Sequence, residues 1–106
     1  MKRVVITGLG IVSCIGNDQS TVVQNLINLN SGISSAKEYE KYTFRSLVHG
    51  KPVINFENEI DRRQLRFMGD GAAYNYISMK NAIEDSGLEK DEVSNNMTGI
   101  IVGSGG

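Results

Sequence analysis

Apolar residues gather at the two ends of this chain in short unbroken runs, and between those ends they recur at helical spacing. Val4-Val5-Ile6 leads into Thr7-Gly8-Leu9-Gly10, and Ile100-Ile101-Val102 leads into Gly103-Ser104-Gly105-Gly106. Continuous runs rich in β-branched residues suit strands buried on both faces, which helices must then cover. Val22, Val23, Leu26, Ile27 and Leu29 make one helical stripe, with Asp18 or Ser20 as its cap and Gly32 as a left-handed terminator. Residues 33–59 mix apolar and polar positions and predict an irregular excursion with one or two short strands, Pro52 sitting best at an edge. Asp61-Arg62-Arg63-Gln64 resembles a capping box that opens a short helix, from which Leu65, Phe67 and Met68 can face inward. A longer helix is predicted from about Asp70 to Asp85, with Ala72, Tyr76, Met79 and Ile83 on one face, Ala73 and Ile77 beside them, and Gly87 closing it. Strand, helix, insert, helix, strand is an α/β order. Two strands are a thin core for a domain, so residues 1–106 are expected to be the beginning of an enzyme rather than a whole one.

Composition narrows this picture without adding chemistry. A chain of 106 residues holds one domain at most. Its net charge of −1 supplies no global field toward nucleic acid or membrane. The longest apolar run is far short of a membrane span. Val4 to Ile15 is interrupted by Thr7, Gly8, Gly10 and Ser13 and leads to no small-residue cleavage site, so a signal peptide is not expected. One cysteine excludes an internal disulfide and suits a reducing cytoplasm.

The motifs that could carry chemistry mostly fail on spacing. Gly8-Leu9-Gly10 after a strand invites a dinucleotide-binding reading, but Ser13 stands where the third glycine belongs and no acidic residue lies near Asn30 to hold a ribose. A tight strand-end turn explains it better. Gly103-Ser104-Gly105-Gly106 is followed by no Lys-Ser/Thr, and Val102 occupies the first glycine position of a nucleophile elbow, so a sharp turn is expected there too. Cys14 lies between Val12 and Ile15, where core packing is the expectation. His49, the only histidine, could in principle pair with it, but a lone histidine in such a segment is more often structural. One Cys and one His cannot build a zinc site by themselves, and no cofactor is expected. Arg62, Arg63 and Arg66 form the most interesting polar group. On a helix, 62 and 66 share a face with 63 beside them, a compact basic spot suited to an acidic partner. The plain alternative is a solvated face paired with Glu57 or Glu59.

Taken together, the chain resembles the N-terminus of the β-ketoacyl-acyl carrier protein synthases, the elongating condensing enzymes of bacterial fatty acid synthesis. The resemblance is carried by Val4-Val5-Ile6-Thr7-Gly8-Leu9-Gly10-Ile11-Val12-Ser13, Ile15-Gly16-Asn17, Asn30-Ser31-Gly32-Ile33, Ile60-Asp61-Arg62-Arg63, Arg66-Phe67-Met68, Ala82-Ile83-Glu84-Asp85-Ser86-Gly87-Leu88 and Gly103-Ser104-Gly105-Gly106. It runs end to end, and Arg45 to Gly50 and Arg66 to Asp70 look closer to type I than to type II synthases.

The resemblance implies a thiolase-like layered fold, incomplete in this chain, and a homodimer. It implies an acyltransferase in which an acyl group moves from carrier protein to an active-site cysteine and malonyl-carrier protein then condenses with it, losing CO2, with no metal or redox cofactor. The family's nucleophilic cysteine and two histidines match no position here. Cys14 and His49 are not their counterparts, so no catalytic residue is assigned and the 106 residues alone are expected to be inactive. Arg62, Arg63 and Arg66 match basic residues that meet the acidic acyl carrier protein. A polyketide-type condensing enzyme shares the same signature. A non-enzymatic module that binds an acidic partner through the three arginines is the reading from a different class.

Overall fold

The computed structural model describes residues 1–103 and 105. The turn expected over Gly103-Ser104-Gly105-Gly106 rests on Ser104 and Gly106, which lie outside the described residues. The chain divides into two compact units, Met1–Gly10 with Phe56–Gly106, and Ile11–Asn55.

In the first unit the long helix forms where its pattern places it. We number the helices and strands of the chain in order, and this one, α4, spans Asp70–Ser86. Gly87 ends it in the left-handed conformation, φ 67°, which costs a residue without Cβ nothing. Its buried positions are Ala73 and Ile77, joined in the core by Ile60. Two four-residue helices precede it, α2 (Phe56–Glu59) and α3 (Arg62–Leu65). The Phe56 ring meets that of Tyr74 at 5.2 Å, and Glu59 pairs with Lys80 at 3.3 Å. These two contacts tie α2 to α4. After α4 comes α5 (Lys90–Val93), where a reciprocal capping box links Glu89 and Glu92.

Gly8 and Gly10 do not make the turn expected of them. Neither has a positive φ. Instead the backbone lies flat on α4. A Cβ on Gly8 would strike the Ala82 carbonyl oxygen and the Ser86 nitrogen, and one on Gly10 would strike the Ser78 carbonyl oxygen. The register follows from geometry, because two residues of extended chain and one helical turn both advance by roughly 6 Å. Glycines at i and i+2 therefore meet Ser78, Ala82 and Ser86 at four-residue spacing. The Asp85 carboxylate accepts the Leu9 N–H at 2.9 Å and fixes the segment lengthwise.

The two strands predicted at the chain ends are a correction. Neither Val4–Ile6 nor Ile100–Val102 is a strand, and all six side chains are exposed rather than buried on two faces. A strand exists through its ladder of hydrogen bonds, and no neighbour among the described residues supplies one. Ile100–Val102 instead borders an open groove of about 740 Å3 whose other wall is the Ala72, Tyr76, Met79 and Ile83 face of α4.

The second unit holds the predicted stripe as α1 (Gln19–Ile27), capped by Asp18. Its ending corrects the assignment of Gly32. Leu29 takes the left-handed conformation, φ 56°, and the Asn30 and Leu29 N–H groups reach back to the carbonyls of Asn25 and Leu26 at 2.9 and 3.2 Å, the two bonds of a Schellman close. Gly32 serves close packing: a Cβ there would overlap the Cys14 carbonyl and come within 2.8 Å of its sulfur. The insert forms a minimal antiparallel pair, β1 (Ser34–Ser35) with β2 (Val48–His49), in the register Ser34 to His49 and Ser35 to Val48. A 3-10 helix, Lys37–Tyr42, fills the connection, and Ala36 at its cap is fully buried. Among the described residues, no helix is long and apolar enough to cross a membrane.

Candidate functional site

The basic cluster stands on α3, and the chain around it explains its form. Asp61 caps the helix, its Oδ1 accepting the Arg63 N–H at 2.8 Å. The reciprocal capping box expected here is not seen among the described residues; only this single cap bond forms. Ile60 before the cap is buried, and Leu65 and Met68 are half-buried, which pins the helix from beneath. Beyond Leu65 the hydrogen bonds tighten to three-residue steps, Phe67 N–H to the Gln64 carbonyl and Met68 N–H to the Leu65 carbonyl, both 3.0 Å. This change of pitch frees Phe67 from the inward direction expected for it. The residue is 79 % exposed.

Arg62, Arg63 and Arg66 are all exposed, and together with Asp61 they line one shallow hollow. The predicted grouping is therefore real in space. Of the pairings offered by the plain alternative, the one with Glu59 does not form, since Glu59 bonds to Lys80 instead. Arg66 has a different neighbour. Its guanidinium carbon lies 4.5 Å from the centroid of the Phe67 ring. The cluster can thus offer three delocalised cations, each with several N–H donors, to carboxylate or phosphate oxygens. It carries no nucleophile or base of its own.

The other residues weighed from sequence lie in the second unit. Cys14 is half-buried, with Gly32 and Gly50 both close to its sulfur. This is a packed position. His49 stacks edge-on to Tyr39 at 5.7 Å, with its Nδ1 3.8 Å from a Glu38 oxygen. Both residues have structural neighbours, in line with the sequence reading. The contribution of Phe67 was hidden in the sequence because an apolar residue beside Leu65 and Met68 reads as core.

Comparison with known proteins assigns the chain a family. The family model for the N-terminal domain of β-ketoacyl synthases matches residues 1–106. The 3-oxoacyl-[acyl-carrier-protein] synthase 1 of Haemophilus influenzae is 49% identical over 105 residues, 99% of this chain and 26% of the relative. The synthase 1 of Escherichia coli K12 is 46% identical over all of this chain and 26% of its own length. Synthase 2 of Staphylococcus aureus COL is 31% identical over 98% of the chain and 25% of the relative. The higher identities with synthase 1 agree with the type I character read from Arg45 to Gly50 and Arg66 to Asp70. The chain spans about a quarter of the length of the curated relatives it matches. With the match running from its first residue to its last, the chain belongs to the β-ketoacyl synthase N-terminal domain family.

Proposed function

We propose that these residues serve as the N-terminal portion of a 3-oxoacyl-acyl carrier protein synthase, and that Arg62, Arg63 and Arg66 form part of the surface on which acyl carrier protein docks. The observation that carries the reading is the end-to-end match at 46–49% identity to synthases whose names specify that carrier. The exposure of all three arginines supports it, because an acidic partner can reach their guanidiniums from solvent. In the proposed reaction an acyl group passes from its carrier thioester to a cysteine, releasing the carrier thiol, and the carbanion left when malonyl-carrier protein loses CO2 attacks the new thioester and expels the cysteine thiolate. Such a site requires an activated thiol and donors aimed at the developing oxyanion. Cys14 is a packed position beside Gly32 and Gly50, so we assign the chemistry to later sequence, and docking and scaffold to this portion. We propose further that Val4–Ile6 and Ile100–Val102 become strands of a thiolase-like sheet when that later sequence is present, in a homodimer.

The test is charge reversal in the intact synthase. Arg63→Glu and Arg66→Glu are each expected to weaken carrier-protein binding about tenfold at low salt. The loss should shrink as added salt shortens the reach of exposed charges. Titration calorimetry at two ionic strengths measures both effects. Unchanged affinity at low salt would return the cluster to a solvated helix face.

A further inference from the structure

We propose that Phe67 is a positioning residue of this docking face, holding the Arg66 guanidinium in place for the acidic partner; the inference rests on the docking reading above. Consecutive residues on an α-helix point about 100° apart and do not meet. Here they do, because α3 ends at Leu65 and the chain tightens through the Phe67 to Gln64 and Met68 to Leu65 bonds. The guanidinium then lies 4.5 Å from the ring centroid, within cation–π range. An exposed arginine at the end of a four-residue helix would otherwise sample many rotamers, and ordering it at the moment of docking would cost affinity. A ring that holds the cation through its face leaves the edge N–H donors open to a carboxylate or phosphate. Arg62 and Arg63 have no aromatic neighbour of this kind among the described contacts, so the effect should be confined to Arg66.

The experiment is a double-mutant cycle in the intact synthase, read as the dissociation constant for acyl carrier protein. Phe67→Leu keeps apolar bulk and removes the π face, while Phe67→Tyr keeps the face. Phe67→Leu is expected to weaken binding about two- to fivefold, the range of an exposed cation–π contact, and Phe67→Tyr to bind as the parent does. In an Arg66→Gln background, Phe67→Leu should cost nothing further. An equal cost in both backgrounds, or none in either, overturns the inference. The ring-current shift of the Arg66 side-chain protons gives an independent reading, expected in the parent and the tyrosine variant and lost in the leucine variant. If that shift is present while Arg66→Gln binds carrier normally, the docking reading fails and Phe67 as its positioning residue fails with it. If Arg66→Gln weakens binding but the parent shows no shift, only the role of Phe67 falls.

Discussion

Asp18 gathers hydrogen bonds from Ser20 and Thr21 on one exposed carboxylate. Its Oδ1 accepts from the Ser20 hydroxyl at 2.6 Å and the Thr21 N–H at 2.8 Å, and its Oδ2 accepts from the Thr21 hydroxyl at 2.7 Å. All three favour the charged form, the Ser20 bond most, and they lower its pKa from 3.8 to about 2. The sign of the consequence is fixed by linkage. The folded carboxyl binds its proton less readily than the unfolded one, so between these two values the unfolded state holds more protons and stability falls as pH falls. The contribution is present above pH 3.8 and is lost on descending through about 2. Asp18→Asn retains a cap oxygen for the Thr21 N–H but cannot titrate. Melting temperatures of parent and variant should therefore converge as the pH drops from about 4 toward 2, the parent losing more. Parallel curves across that window would mean that the cap bonds persist in the unfolded chain.

At the scale of elements, glycine decides how the N-terminal segment and α4 fit together, and the same substitution should act with opposite signs at two sites. Gly10→Ala drives a Cβ into the Ser78 carbonyl, with the Ala82 nitrogen only 2.7 Å away. Backbone atoms cannot swing aside as a flexible side chain would, so a loss of about 2–3 kcal/mol is expected. Gly71 lies inside α4 with nothing within 4 Å of a built Cβ. Gly71→Ala is expected to stabilise by about 0.5–1 kcal/mol through helix propensity. Urea unfolding of both variants checks the pair, and similar effects at the two positions would contradict the close approach. This element also shows where a sequence can be read and where it cannot. The 3.6-residue pattern and Gly87 placed α4 almost to the residue, since both signals are local. Gly8 and Gly10 were read as a turn because a glycine signals that a Cβ is unwelcome without saying whether backbone curvature or a neighbour forbids it. Gly32 was misassigned for the same reason, and Leu29 closes α1 at a position where a branched residue gives no warning. The arginine cluster was legible because helical spacing alone puts 62, 63 and 66 together, whereas its partner Phe67 depended on a change of helical pitch that no periodicity encodes.

The strands expected at Val4–Ile6 and Ile100–Val102 fail for a reason that belongs to the whole molecule. Their sequence specifies burial, but burial requires a partner, and propensity cannot create the neighbouring strand. The accessible surface is 9042 Å2 for 11.6 kDa. A folded monomer of that mass exposes about 5,800 Å2, so much of the excess is surface that a complete core would cover. Val4, Ile6 and Ile101 are each nine-tenths or more exposed. Apolar segments with unpaired backbone groups act as templates for pairing with another chain. The 106 residues in isolation are therefore expected to associate reversibly, with a sedimentation coefficient that rises with concentration and a broad thermal transition. Ile6→Lys combined with Ile101→Lys places a charge on each exposed run and should shift the distribution back toward monomer. A single monomeric boundary at every concentration, with a sharp cooperative melt, would show instead that these runs find cover within the chain itself. That result would also revive the reading of the arginine face as part of a self-sufficient binding module, because a chain that closes its own core needs no later sequence to present it.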